Sequence, residues 1–223
     1  MKPTARARRI LVLLLSLLGT AALFLPFAEI GTIFKNVIIW PLKSMMEHPA
    51  LIAESPLYAI LGASFFLVVP ILVLQTRRLM VDRLSTTEIV AAYLLGTLAM
   101  VSVLGFWAFY APPLREWSAA MVTSMAVCVA TIIGNLLLLI HNRSAGVTPD
   151  ASAESFLLGA YISYTIPWFT VVYTVSIGSL WESLRLGGYL SAVVCIGYVV
   201  AILLLSREKP GSARRPIETS ASV

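Results

Sequence analysis

Residues 156 to 177 read FLLGAYISYTIPWFTVVYTVSI. These 22 residues hold no charged side chain. A helix needs about 20 apolar residues to cross the hydrocarbon layer of a bilayer, so the stretch has membrane length. Its chemistry is unusual for a lipid-facing helix. It carries Tyr161, Tyr164 and Tyr173, the hydroxyls of Ser163, Thr165, Thr170 and Thr174, Trp168, and Pro167 in its middle.

The rest of the chain follows the same plan. Of 223 residues, 59% are hydrophobic and 12% charged, with a mean hydropathy of +0.89. Soluble domains carry roughly twice that charged fraction. Six apolar runs reach spanning length: 10–28, 57–75, 89–111, 119–140, 156–177 and 188–206. Charges fall between the runs or at their ends. The expected fold is all-α, a polytopic bundle of six transmembrane helices occupying residues 1–206. The bilayer is its first partner, and the inner or plasma membrane of the cell its place.

Lysine and arginine are retained on the cytoplasmic side of a membrane. With the N-terminus inside, the inner segments hold Lys2, Arg6, Arg8, Arg9, Arg77, Arg78, Arg83, Arg143, Arg207, Lys209, Arg214 and Arg215. The outer segments hold Lys35, Lys43, Arg115 and Arg185. Twelve against four puts both termini in the cytoplasm. The same asymmetry explains the net charge of +5 as a topology signal, so nucleic acid is not an expected partner. The first run also has the basic and apolar regions of a secretory signal. It continues far enough to span, and we read it as an uncleaved helix; removal would leave five spans.

Between the first two runs, residues 33–48 form an apolar stretch broken by Lys35, Pro41 and Lys43. It is too short and too charged to span, and reads as an interfacial segment with Trp40 at headgroup level. Residues 207–223 are polar and rich in Pro, Ser and Ala; they read as a disordered cytoplasmic tail. Cys128 and Cys195 both sit deep in apolar runs and read as small packing residues.

Two runs carry candidate site residues. In the fourth, Ala120, Ser124, Cys128, Thr131 and Asn135 share one helical face, while Thr123, Ala126, Ala130 and Gly134 share another. Small residues let membrane helices approach closely, so this helix is expected at the centre of the bundle. Asn135 needs a hydrogen-bond partner that lipid cannot supply, either on another helix or on a ligand. In the fifth run, Tyr161, Tyr164 and Trp168 share a face, with Thr165 beside them. Pro167 cannot donate to the carbonyl of Ser163, which predicts a kink. Two readings stand. Asn135, Tyr161, Tyr164, Thr165 and Trp168 line a ligand cavity, or they pack against neighbouring helices with their polar groups satisfied.

The absences narrow the function. No carboxylate, lysine or histidine stands near the middle of a run, where it would flag proton-coupled transport. Glu29, Glu88, Glu116, Glu154 and Glu182 are read as lying at or near helix ends. His48 and His141 lie outside the spans, which disfavours haem. Glu29, Glu47, His48 and Glu54 cluster in the outer loop without a metal-ligand spacing. HExxH, GxSxG and glycine-rich phosphate loops are all missing. No catalytic residue, cofactor or metal is therefore expected. Between the second and third runs, the basic turn ends in Ser85-Thr-Thr-Glu88, a capping box with Ser85 at the N-cap.

The expectation is a non-enzymatic membrane protein. One role is a subunit that binds or helps transport a small uncharged or amphipathic solute. The alternative is an accessory or scaffold subunit of a larger membrane complex, packed against other membrane subunits.

Overall fold

The computed structural model describes residues 3–23, 25, 27–28, 63–81, 83–110, 119–175 and 180–205. The outer segment 33–48, the tail 207–223 and the acidic cluster around His48 lie outside these residues. Among the described residues the chain is all-α: α1 (Pro3–Leu23), α2 (Ala63–Met80), α3 (Thr86–Tyr110), α4 (Ala119–Ser144), α5 (Pro149–Val175), the single turn α6 (Leu180–Ser183) and α7 (Leu186–Leu205). Two helical stretches, Val122–Ser144 and Leu186–Leu205, are long and apolar enough to cross a membrane by length and composition.

Local chemistry sets several of the boundaries. Ser85 accepts from the backbone N–H of Glu88 at 3.3 Å, and Glu88 Oε2 accepts from the Ser85 N–H at 2.7 Å and its hydroxyl at 2.8 Å. This is the reciprocal capping box expected at the start of α3. At the start of α5, Thr148 precedes Pro149, and its hydroxyl accepts from the Ala151 N–H at 3.4 Å. A hydroxyl N-cap followed by proline at the first helical position suits a helix start, because proline lacks only an N–H that would be orphaned there. Gly146 closes α4 with a φ of 67°, a left-handed turn that a side chain would resist. The α4–α5 link is therefore only four residues long, and the two helices pack side by side.

The core belongs to α5. It packs against α2, α3, α4, α6 and α7, while α1 packs on α2 and α7. Along α5, Ala151, Ala153, Phe156, Leu157, Leu158, Ala160, Tyr161, Tyr164 and Val172 are all buried. The expectation that α4 is central is corrected here. Only 17% of its most apolar window is buried, and among the described residues it packs against α5 and α3 alone. Its Ser124–Cys128–Asn135 face does turn inward. The second small-residue face, Thr123, Ala126, Ala130 and Gly134, is exposed. A small residue permits close approach but does not supply the helix that approaches.

Candidate functional site

At 100° per residue, Tyr161, Tyr164, Thr165 and Trp168 share one broad side of α5, and the structure buries all four. The Tyr161 ring meets Tyr198 of α7 edge-on, with centroids 5.2 Å apart and planes at 76°. Its hydroxyl neighbours those of Thr165 and Ser191. The Tyr198 hydroxyl lies 3.0 Å from Ser16 Oγ of α1. Ser16 and Ser191 each donate back to their own helices, to the carbonyls of Val12 and Gly187. The result is a seam of hydroxyls joining α1, α5 and α7. Cys195 is buried within it beside Thr165 and, like Cys128, forms no disulfide. Tyr164 and Trp168 continue the face, their rings 6.5 Å apart. Such a seam can tie helices together or hold a neutral polar molecule. Its hydroxyls are poor acids and bases near neutrality.

Asn135 is not part of that seam. Its amide donates to the Phe156 carbonyl at 3.1 Å and contacts Met100 Sδ at 3.5 Å. Phe156 and Gly159 lie on the opposite side of α5 from Tyr161. A Cβ built on Gly159 would collide with Asn135 Oδ1, so this glycine makes room for the amide. The expected five-residue site therefore divides into a hydroxyl seam facing α1 and α7, and an interhelical amide facing α3 and α4.

Pro167 sits inside α5, which runs past it without a break. The Thr170 hydroxyl accompanies it, 2.9 Å from the Pro167 carbonyl and 3.2 Å from that of Ile166. These carbonyls are not the one that Pro167 leaves without a donor, which is that of Ser163 one turn earlier.

The strongest electrostatic feature escaped the sequence reading. Glu154 lies near the start of α5, as read, but inside the helix and enclosed. It is the sixth residue of α5 and 1% exposed. Arg78 of α2 pairs with it at 3.0 Å, their side chains 4% and 1% exposed. Gln75 donates to its other oxygen at 2.9 Å. Arg9 of α1 donates to the Arg78 carbonyl, and both Arg8 and Arg9 are buried. The neighbouring polar residues of α5 reach elsewhere. Asp150 accepts from the Leu84 N–H at 3.3 Å, the Tyr93 hydroxyl donates to Ser152 at 3.2 Å, and Asn142 donates to Ser155 at 2.8 Å. One short segment thus addresses α2, the turn before α3, α3 itself and α4. The Thr148-Pro149 pair is the signal that would have started α5 early enough to enclose Glu154.

A cleft of about 230 Å³ lies nearby between α2, α3 and α5. Pro70, Leu74, Ala91, Ala92, Leu95 and Leu157 wall it, and Arg77 and Glu88 stand at one end, paired at 3.0 Å. None of the five residues singled out from the sequence lines it. Among the described residues, no group of three or more His, Cys, Asp or Glu side chains could hold a metal ion.

Neither a protein-family model, nor a curated protein, nor a solved structure matches this chain.

Proposed function

We propose that this chain is a non-enzymatic integral membrane protein of six spans, α1 to α5 and α7, with both termini in the cytoplasm, and that it acts as an accessory or scaffold subunit of a larger membrane complex. Three features support the membrane reading. The six long helices lie over the six uncharged runs. Their outer surfaces expose Leu14, Val73, Leu94, Leu98, Leu137, Ile196 and Leu203, which water solvates poorly. The described arginines of α1 and of the α2–α3 turn gather at the one end where α1, α3 and α5 begin and α2, α4 and α7 finish.

The single observation behind the subunit role is the outer ridge of α4. Ala126, Ala130 and Gly134 repeat every fourth residue on its exposed side, and a Cβ on Gly134 would meet nothing within 4 Å. Lipid tails need no small residues, whereas helix backbones approach closely only across them. The test is native mass spectrometry on protein extracted in mild detergent from its own membranes. A stoichiometric partner chain is expected, and Ala130→Leu with Gly134→Leu should strip it while the fold survives. A wild-type chain without a partner, or a complex that withstands both changes, overturns the role.

The solute-binding role is the second reading, favoured by the density of hydroxyls around Tyr161. It expects Tyr164→Ala and Trp168→Ala to abolish ligand-dependent melting shifts in a folded protein. Retained shifts in both would remove it. Orientation is tested separately by placing a cysteine in the tail. Labelling from outside intact cells would reverse the topology.

A further inference from the structure

We infer that the cleft between α2 and α3 is a phospholipid site: one acyl chain enters it sideways from the bilayer, and the lipid phosphate rests on Arg77. This rests on the membrane reading above, but not on the subunit role.

Size and shape argue first. The cleft holds about 230 Å³, less than the roughly 300 Å³ at which pockets for drug-sized ligands begin. It is long for that volume. Pro70 to Arg77 on α2, and Glu88 to Leu95 on α3, each cover about 10 Å of helix at ~1.5 Å per residue. A slender hydrocarbon with one polar end fits such a space, and a compact polar solute does not. The walls named above are apolar apart from that one end.

The route of entry comes next. Val73, 62% exposed, lines the cleft on the α2 side, and Val69, Leu94 and Leu98 are exposed alongside it. In a spanning bundle this side is hydrocarbon. The occupant is therefore already dissolved where the cleft opens.

The end group is the third point. Arg77 gives its Nε–H to Glu88 at 3.0 Å while 52% of its side chain stays exposed. Among the described residues, its two terminal amino groups have no other partner. A guanidinium fork grips a phosphate through two parallel hydrogen bonds. Glu88 cannot swing away, because Ser85 holds it in the capping box. The pair thus fixes Arg77 at the mouth with its free edge available. Arg78, one residue on, is committed to Glu154 and does not compete.

The test adds phosphatidylglycerol or diacylglycerol to the detergent-purified protein and reads bound lipid by native mass spectrometry. One phosphatidylglycerol per chain is expected, with diacylglycerol held more weakly. Ala91→Trp, which plugs the cleft from an exposed position, should lower phosphatidylglycerol occupancy about tenfold. Arg77→Gln should erase the preference over diacylglycerol. Leu137→Trp, on the outer side of α4, should change neither. If Ala91→Trp binds like wild type, or Arg77→Gln keeps the preference, the site is wrong. Should Ala91→Trp fail to fold, Arg77→Gln decides alone. Alkaline carbonate washing of membranes separates the two failures. A chain that washes off defeats the membrane reading, and a chain that stays while its lipid binding ignores both substitutions defeats only the cleft.

Discussion

α4 and α5 invite comparison. They are 26 and 27 residues long, joined by a four-residue link, and both mix small, hydroxyl and apolar residues. Yet among the described residues α5 is enclosed by five other helices, and α4 lies against two. The difference is in how the polar groups are distributed. On α4 the inward polar groups Ser124 and Asn135 fall on one face, and Asn135 finds its contacts on the two helices beside that face, Phe156 of α5 and Met100 of α3. On α5 they point in several directions, from Asp150 through Glu154 to Thr165, and no single neighbour could serve them all. A polar group in an apolar medium must find a partner. A helix with such groups all round therefore ends up in the middle.

The comparison can be broken hardest at Glu154. Glu154→Ala leaves Arg78 buried without its carboxylate, a loss of about 3–5 kcal/mol for an enclosed pair. It should show as a large fall in melting temperature in detergent. Adding Arg78→Leu should recover much of that loss, because the stranded charge is gone. A single mutant that melts like wild type would mean that α5 is not anchored there.

The two glycines give the next contrast. Gly159→Ala drives a methyl into Asn135 and should cost about 1–3 kcal/mol, as overpacking generally does. Gly134→Ala meets nothing and should be neutral or stabilising by up to about 1 kcal/mol through helix propensity. Equal melting temperatures for the two variants would erase the distinction between an enclosed face and an open one.

Tyr198→Phe is a smaller test. It removes the hydroxyl shared with Ser16 but keeps the ring against Tyr161, so the expected loss is about 0.6 kcal/mol, the average for membrane side-chain hydrogen bonds. The effect at Glu88 is smaller still. Its carboxyl is held below the usual range, chiefly by the Ser85 backbone N–H and then by the Ser85 hydroxyl, against an opposing effect of desolvation and with a smaller contribution from Arg77. A depressed carboxyl stabilises the fold above its unfolded value near ~4.3, and that contribution fades as pH falls through the lower folded value. Wild type and Glu88→Gln should differ slightly at neutral pH and converge in acid. A gap that is constant with pH would show that the charge plays no part.

Much of the helical framework was legible in the residues. Uncharged runs mark the long helices because a long apolar stretch with its hydrogen bonds closed internally needs no outside partner. Ser85 and Glu88 announced the start of α3 through chemistry confined to four consecutive residues. The start of α5 was equally local, in Thr148-Pro149, but the uncharged run begins only at Phe156, beyond Glu154. The candidate site was legible only in part. Tyr161, Tyr164, Thr165 and Trp168 were grouped by helical periodicity, which one helix is enough to establish. Placing Asn135 with them required knowing which side of α5 meets α4, and periodicity within each helix carries no such information.

By itself, then, the sequence determined what each segment could do: which runs are helical, which faces are polar, where charge is tolerated and where a helix can be capped. These follow from residues within a turn or two of one another. Tertiary structure alone decided that α5 and not α4 holds the centre, that Glu154 meets Arg78 and Gln75 from a helix some 75 residues earlier, and that a cleft opens beside Arg77. Each depends on how separate helices are rotated and ordered around one another. Many arrangements satisfy every helix taken singly, and only joint packing together with the pairing of buried polar groups across helices selects among them.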